Sequence, residues 1–493
     1  MSFAITQSCC VDASCVSACP VNCIHPAPGE PDFGTTDMLY VDPRACIDCG
    51  ACAEVCPVDA VFPVENLVGP LREYAGLNAE YYADRDAPAA LAGTPLFHAW
   101  DPVRFDRVLP AGFPQLEVAV VGSGPAGMYA VEDLLLHTTA RVTIVDRLPV
   151  AGGLVRFGVA PDHASTKQIG EYFGRYLDHH RVRTRLGVEV GCDVTVADLA
   201  RDHDAVVYAV GAAQSRDLGV DGEQLPGNLA STTVVGWYNG HPEIPDDAVE
   251  LATARAVVVG TGNVALDIAR ILAADPDTLS GVTAPVLAAL RGSRLREVVL
   301  LGRRGPREAA WTRGELLGLL RRNDLEVVVD DHDPRVVAEI AAAGTAETAS
   351  LLRDVPLLSR AGEPSRRRVV LRFFSTPEAV LGDERVTGVR AGGVDLDAGL
   401  VVRAIGHRGR PVPGLPFDEA TGTVPNVEGR VGDVPGTYVV GWIKRGASGG
   451  IGANRSDAAE TVGSLIADGA AGVLGTGAPR NPVRRALGRL ARR

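Results

Sequence analysis

The chain has 493 residues, 46% of them hydrophobic, which is enough for several cores and suggests about three domains. Its formal net charge of -13 makes it a poor general nucleic-acid binder, and no apolar run approaches the length of a membrane span. The start, Met1-Ser2-Phe3-Ala4, lacks the basic-then-apolar pattern of an export signal, so a cytoplasmic protein is expected. Nine of the ten cysteines fall within the first 56 residues, the tenth being Cys192. Without export, such clustering predicts metal or redox chemistry rather than disulfides. Lys167 and Lys444 are the only lysines among 48 basic residues, a bias that reads as GC-rich coding.

Cys46, Cys49, Cys52 and Cys56-Pro57 form C-x2-C-x2-C-x3-C-P, the bacterial ferredoxin spacing, in which three thiolates hold one cluster and the fourth serves the other. A shift of 37 residues lays Cys9, Cys15 and Cys19-Pro20 on Cys46, Cys52 and Cys56-Pro57, but puts Asp12 on Cys49. Crossed ligation gives one 4Fe-4S cluster on Cys46, Cys49, Cys52 and Cys19. The other site has Cys9, Cys15 and Cys56. It suits a 3Fe-4S cluster, or a 4Fe-4S cluster whose labile iron is held by Asp12. Cys10 and Cys23 align with non-ligands and read as buried thiols. Residues 38–42 read as a short strand. The segment resembles the seven-iron and eight-iron bacterial ferredoxins over residues 1–85, and that resemblance implies a helical tail over 71–83. Residues 86–115 read as a linker.

From Leu116, a buried strand runs into Gly122-Ser123-Gly124-Pro125-Ala126-Gly127, a G-x-G-x-x-G turn before a helix. The glycines permit the tight turn, pyrophosphate approach and helix packing. A second strand ends in Asp146, placed to bond ribose hydroxyls or else to serve as a loop acid. Residues 152–163, GGLVRFGVAPDH, resemble the flavin-binding segment of the adrenodoxin reductase family of NADPH–ferredoxin reductases. The likeness extends over residues 116–465. It implies that Gly153 and Leu154 lie against FAD and that His163 is a catalytic residue beside the flavin ring.

Gly260-Thr261-Gly262-Asn263-Val264-Ala265 repeats the turn as G-x-G-x-x-A. The next strand ends in Arg303-Arg304, where an NAD site would show an acid, and two guanidiniums suit the 2′-phosphate of NADP(H). Residues 275–296 lengthen this unit, as in the resembled family. The resemblance makes Glu315 a catalytic, nicotinamide-contacting residue, whereas a second family carboxylate falls on Gly318, leaving any proton relay through that acid without its residue. Residues 234–242 are expected to line the interdomain cleft. Gly441-Trp442 would end a strand at the flavin, and Gly449, Gly450 and Ile451 would open a helix toward the ring's pyrimidine end. The tail from 476, with six arginines in the last fourteen residues, reads as a solvated segment or an amphipathic helix for an acidic surface such as residues 1–66 or for an anionic membrane.

The expected architecture is an α/β two-dinucleotide-binding, Rossmann-like flavoprotein with an N-terminal α+β ferredoxin-like domain. Its expected parts are 1–85 (two clusters), 116–212 and 404–475 (FAD), 213–403 (NADP) and the tail 476–493. The expected function is transfer of electrons from NADPH through FAD to the chain's own clusters, then to a ferredoxin, cytochrome P450 or similar acceptor. An alternative is the electron-input subunit of a glutamate-synthase-like complex. A third is an iron-sulfur redox sensor. Neither nucleic acid nor membrane is an expected partner. The reductase part has no C-x-x-C, which disfavours disulfide-reductase chemistry.

Overall fold

The computed structural model describes residues 2–30, 32–33, 36–83, 85, 109–344, 347–432 and 434–474. The expected basic tail lies outside the described residues, as does the expected linker up to residue 108. The N-terminal unit is built twice from one plan. Phe3–Ile5 pairs antiparallel with Val61–Pro63, and Ile24–His25 with Tyr40–Val41. The short helices Ser14–Ala18 and Ala51–Glu54 follow the two cysteine loops. The backbone keeps the 37-residue offset: Val11 and Asp48, Ala13 and Gly50, and Asn22 and Asp59 all have positive φ. The strand expected over 38–42 is confined to Tyr40–Val41. A single turn, Gly69–Arg72, leads into the Glu73–Tyr81 helix, whose buried Asn78 bonds the backbone of Ile5 and Val41 and so ties the tail to both sheets.

Two parallel sheets follow. Their strands are valine-rich runs without alternation (EVAVV, AVVY, RAVVV, EVVLL), as expected where both faces are covered. The first sheet has the order Thr437–Val439, Ala205–Tyr208, Glu117–Val121, Arg141–Asp146, Val182–Leu186. Its edge strand comes from the far end of the chain, so the second unit is inserted into the first. The second sheet has the order Asn228–Ala230, Leu400–Arg403, Arg255–Val259, Glu297–Leu301, Arg368–Arg372, Glu326–Val329. An antiparallel three-stranded sheet, Pro377–Leu381, Gly388–Ala391 and Val394–Asp397, is added to it. The two chain crossings between the units pair with each other, Gln214–Ser215 against His407–Arg408.

In each parallel sheet the strand carrying the glycine turn is central, so both turns open where the strand order reverses, a position suited to ligands. One apolar core runs from Ile5, Val11 and Tyr74 through Tyr129 to Val120 and Leu465, so the N-terminal unit shares its core with the first sheet. Among the described residues, no helix is long and apolar enough to cross a membrane.

Candidate electron-transfer site

At the first turn Gly122 has φ 106°, and the Pro125–His137 helix starts with Pro125 in its first turn after Gly124. A Cβ on Gly122 would sit 2.3 Å from the Ala209 oxygen, and one on Gly127 2.0 Å from the Gly122 oxygen, so only glycine closes this junction. Around Gly124 a Cβ would meet only the Gly153 Cα at 3.8 Å, leaving backbone N–H groups accessible at a helix N-terminus. Ala126 is buried against Gly441. Leu154 is 47% exposed beside this turn, an apolar face suited to cover by an aromatic ring. Asp146 is buried: Oδ2 accepts from the Ser123 N–H at 2.8 Å and Oδ1 from the Leu148 N–H at 2.9 Å. The carboxylate thus braces the turn, the loop-acid arrangement, and any ribose hydroxyl would share it.

The second turn copies the first, with Gly260 pressed on Ala404 and nothing within 4 Å of a Cβ on Gly262. Val264 is half-buried on the helix that follows, and Asn263 Oδ1 accepts from the Thr312 N–H at 2.8 Å. Thr312 caps the Arg313–Leu320 helix, its side chain accepting from the Glu315 N–H. The phosphate turn therefore positions the helix that carries Glu315. Arg303 and Arg304 are exposed at the end of the neighbouring strand and have no ion pair among the described residues, so their charge is free for an anion.

His163 and Glu315 are brought together from different units, Nε2 to Oε2, at 3.7 Å. Asp267 joins them, the three groups lying within 4.8 Å of one another. Arg270 Nη2 donates to His163 Nε2 at 2.8 Å, so that nitrogen is an acceptor and the ring proton belongs on Nδ1. Arg270 also meets Asp162 and Asp267. Burial lowers the guanidinium to about 10, and burial with the nearby Glu315 charge pushes the Asp267 carboxyl well above its ordinary range.

Sequence reading missed Asp267. The signal was present: Asn263, Asp267 and Arg270 recur at helical spacing on an otherwise apolar helix.

In the N-terminal unit Cys19, Cys46, Cys49 and Cys52 line one small cavity together with Cys23. Cys23 Sγ lies 3.3 Å from Cys19 Sγ, and hydrogen bonding from Cys23 lowers the Cys19 and Cys46 thiols to about 6. Cys23 is therefore a buried thiol as expected, but one that touches the expected ligands Cys19 and Cys46. At the other expected site, burial pushes Cys9 up to about 12 and raises Cys15 and Cys56. Sulfurs so dry and crowded favour bound cations, which supply the charge that keeps them thiolates. Backbone N–H groups point at them: Val11 to Cys9 at 3.4 Å, Ala60 to Cys56 at 3.2 Å and Cys23 to Cys19 at 3.4 Å. The residues fit iron-sulfur groups.

Residues 116–291 match the pyridine nucleotide-disulphide oxidoreductase family, and residues 39–62 match the 4Fe-4S binding domain. The probable ferredoxin/ferredoxin–NADP reductase of Mycobacterium tuberculosis is 47% identical over 486 residues, covering 95% of this chain and 84% of its own. The chain belongs to this ferredoxin–NADP reductase family. Human mitochondrial NADPH:adrenodoxin oxidoreductase is 40% identical over 394 residues, covering 73% of this chain and 80% of its own. The solved structure of Mycobacterium tuberculosis FprA in complex with NADPH superposes with a TM-score of 0.66 at 40% identity, over 72% of this chain and 84% of that one. The protein is thus an NADPH-dependent flavin oxidoreductase carrying an iron-sulfur domain, and it passes electrons from NADPH toward a ferredoxin.

In this ferredoxin–NADP reductase the iron-sulfur unit rests on both dinucleotide units. Gly441 leads into a turn whose Trp442 indole stacks near His407 and donates to the Ser448 carbonyl at 3.0 Å. Gly449, Gly450 and Ile451 then lead into the Ala453–Ala470 helix. The N–H of Gly452 is already taken by the Cys10 carbonyl at 2.6 Å. A Cβ on Gly452 would lie 2.0 Å from the Val11 carbonyl, so the cysteine loop is seated directly on this helix start. One turn on, Arg455 Nη1 donates to the Asp12 carbonyl at 3.1 Å and the Ser14 hydroxyl at 2.8 Å.

On the other side, Glu73 and Glu80 meet Arg321 and Arg313 of the second unit. Gly318, where sequence comparison expected a missing carboxylate, faces Gln7, and Gly314 faces Tyr74. The Tyr74 hydroxyl donates to Gln7 at 2.5 Å. Iron-sulfur side chains thus cover the helix face that two glycines leave bare.

Proposed function

We propose that the protein works in the cytoplasm as a self-contained relay, in which bound FAD accepts hydride from NADPH and a 3Fe-4S and a 4Fe-4S cluster carry single electrons onward to a ferredoxin, cytochrome P450 or similar acceptor. The observation that carries this reading is the seating of the Cys9–Cys15 loop on the Gly452 end of the flavin-side helix. Arg303 and Arg304 hold the 2′-phosphate of NADPH, and the two glycine turns hold the pyrophosphates of NADPH and FAD. Glu315 contacts the nicotinamide from a helix fixed by Asn263. His163, hydrogen-bonded by Arg270, would act where the two dinucleotide units meet, with Asp267 and Glu315 beside it. Gly153, Leu154 and Trp442 would help to hold the flavin.

The three-iron reading of the inner site is supported by the company Asp12 keeps. Its carboxylate accepts from the Ser14 N–H at 3.3 Å and from the Ser14 hydroxyl, and Arg455 Nη1 lies 3.4 Å from Oδ2. An acid engaged in this way is a poor iron ligand, which leaves Cys9, Cys15 and Cys56. Cys19, Cys46, Cys49 and Cys52 form the complete set of the outer site.

Anaerobic NADPH titration followed optically and by low-temperature EPR tests the relay. Flavin bleaching and then cluster reduction are expected. Clusters that stay oxidised would reverse the proposed direction. The oxidised protein is expected to show a three-iron EPR signal, and Asp12→Cys to lose it with the gain of about one iron per chain. An oxidised wild type without that signal would refute the three-iron assignment.

A further inference from the structure

The two cysteine loops are copies in sequence and backbone, but not in surroundings. In the inner copy Cys10 is 5% exposed and Val11 8%, pressed under the Gly452 helix start. Their mates in the outer copy are Ile47, 53% exposed, and Asp48, also exposed; Cys49 is exposed beside them. Glu54 is exposed on the following helix, and Val55 after it is 43% exposed.

The face is also short of positive charge. Residues 1–66 hold nine carboxylates and one arginine, Arg44, and that arginine is spent on the buried Asp42 through Nε and Nη2 at 2.9 Å each. Asp12 is engaged by Arg455, whereas Asp48 and Glu54 have no ion pair among the described residues.

From this asymmetry, and resting on the relay reading above, we infer that the surface formed by Ile47, Asp48, Cys49, Glu54 and Val55 is where electrons leave. Its occupant is a separate one-electron carrier protein whose redox group lies under an apolar patch ringed by lysine or arginine. Ile47, which lines the cavity of the outer cysteines, supplies the dry contact that brings the outer cluster close, and Val55 extends the apolar surface. Asp48 and Glu54 steer and orient a cationic rim. The flavin-side copy of the loop is blocked by the chain's own helix, so a second carrier cannot use it. Each NADPH gives up a hydride, so two oxidised carriers are each reduced by one electron, with NADP+ and one proton as the other products.

Mammalian cytochrome c, a basic haem protein with lysines around an exposed haem edge, is the probe. Its binding to the oxidised holoenzyme is measured by calorimetry at low salt, alongside NADPH-driven cytochrome c reduction. Asp48→Asn/Glu54→Lys is expected to weaken binding about tenfold and to flatten the salt dependence of reduction. Glu54→Lys alone, on the helix rather than between ligands, is expected to weaken binding about threefold. Iron content and EPR spectra of both variants should match wild type.

Wild-type affinity in both variants would overturn the assignment. So would a chain truncated after residue 475 that binds cytochrome c tenfold more tightly, because the arginine tail would then be the occupant. EPR of the outer cluster after anaerobic NADPH addition reads the relay separately. Clusters left oxidised would defeat the relay, while calorimetry still judges the surface.

Discussion

Lysine is rare enough in this chain that its two survivors are informative at the level of single residues. Lys167 Nζ donates to Asn239 Oδ1 at 2.7 Å and to the Arg156 carbonyl at 3.0 Å, joining the flavin-side segment to the helix Ser231–Tyr238 of the other unit. Lys444 lies between Asp457 at 2.9 Å and Glu460, beside the Gly441 turn. A compact ammonium fits such corners and gives up its proton more readily than a guanidinium. Burial first, then the charge of Arg156, lower Lys167 to about 8. The unfolded chain keeps this group protonated up to about pH 10.4. Between these values the unfolded state binds more protons, so the contribution of Lys167 to stability rises with pH and is lost as pH falls through about 8. Thermal melts of wild type and Lys167→Gln should therefore diverge from pH 8 to pH 10, with wild type gaining. A constant difference would show that Lys167 keeps an ordinary proton affinity in the fold.

At the level of elements, the glycine turns, the cysteine spacing and the valine runs were readable because each is a local requirement of backbone or metal geometry. The 37-residue repeat is visible twice, in the cysteines and again in the paired positive-φ residues. What escaped reading was long-range. Arg455 and Asp12 are 443 residues apart, and nothing near either announces the other. Gly318 read as the place of a missing carboxylate, yet with Gly314 it forms the flat side on which Gln7 and Tyr74 rest. The Glu73–Tyr81 helix looked like a family tail, and proves to carry the acids that meet Arg313 and Arg321. Such partly exposed pairs are worth about 1 kcal/mol each, so they orient the docking more than they secure it. Reversing one partner, Arg321→Glu, is expected to slow cluster reduction by NADPH about three- to fivefold, as a cost of about 1 kcal/mol implies. Glu73→Arg in the same chain is expected to restore most of the rate. Stopped-flow reduction of the single and double variants reads this directly. A double variant as slow as Arg321→Glu alone would mean that the arginine acts without Glu73.

For the molecule as a whole, the decisive arrangement is that acceptor and donor share one chain and one apolar core, from Ile5 to Leu465. Tethering alone gives an effective concentration of order mM, and a seated contact raises the fraction of time spent in the transfer geometry. Encounters between copies are opposed, because each carries a net charge of -13. Reduction of the clusters by NADPH should therefore be a property of single molecules. At saturating NADPH its rate constant is expected to stay the same over a hundredfold dilution of the protein. Salt should slow it only a few-fold, because the ionic contacts of Arg455 with Asp12 and of Arg321 with Glu73 are worth about 1 kcal/mol or less each, while the Gly452–Cys10 backbone hydrogen bond has no charge to screen. Delivery to a basic external carrier should behave oppositely, second order in carrier and falling steeply with salt. A cluster-reduction rate that rises with protein concentration would mean that the flavin of one copy feeds the clusters of another, and the seating of the Cys9–Cys15 loop on its own helix would then not be the working contact.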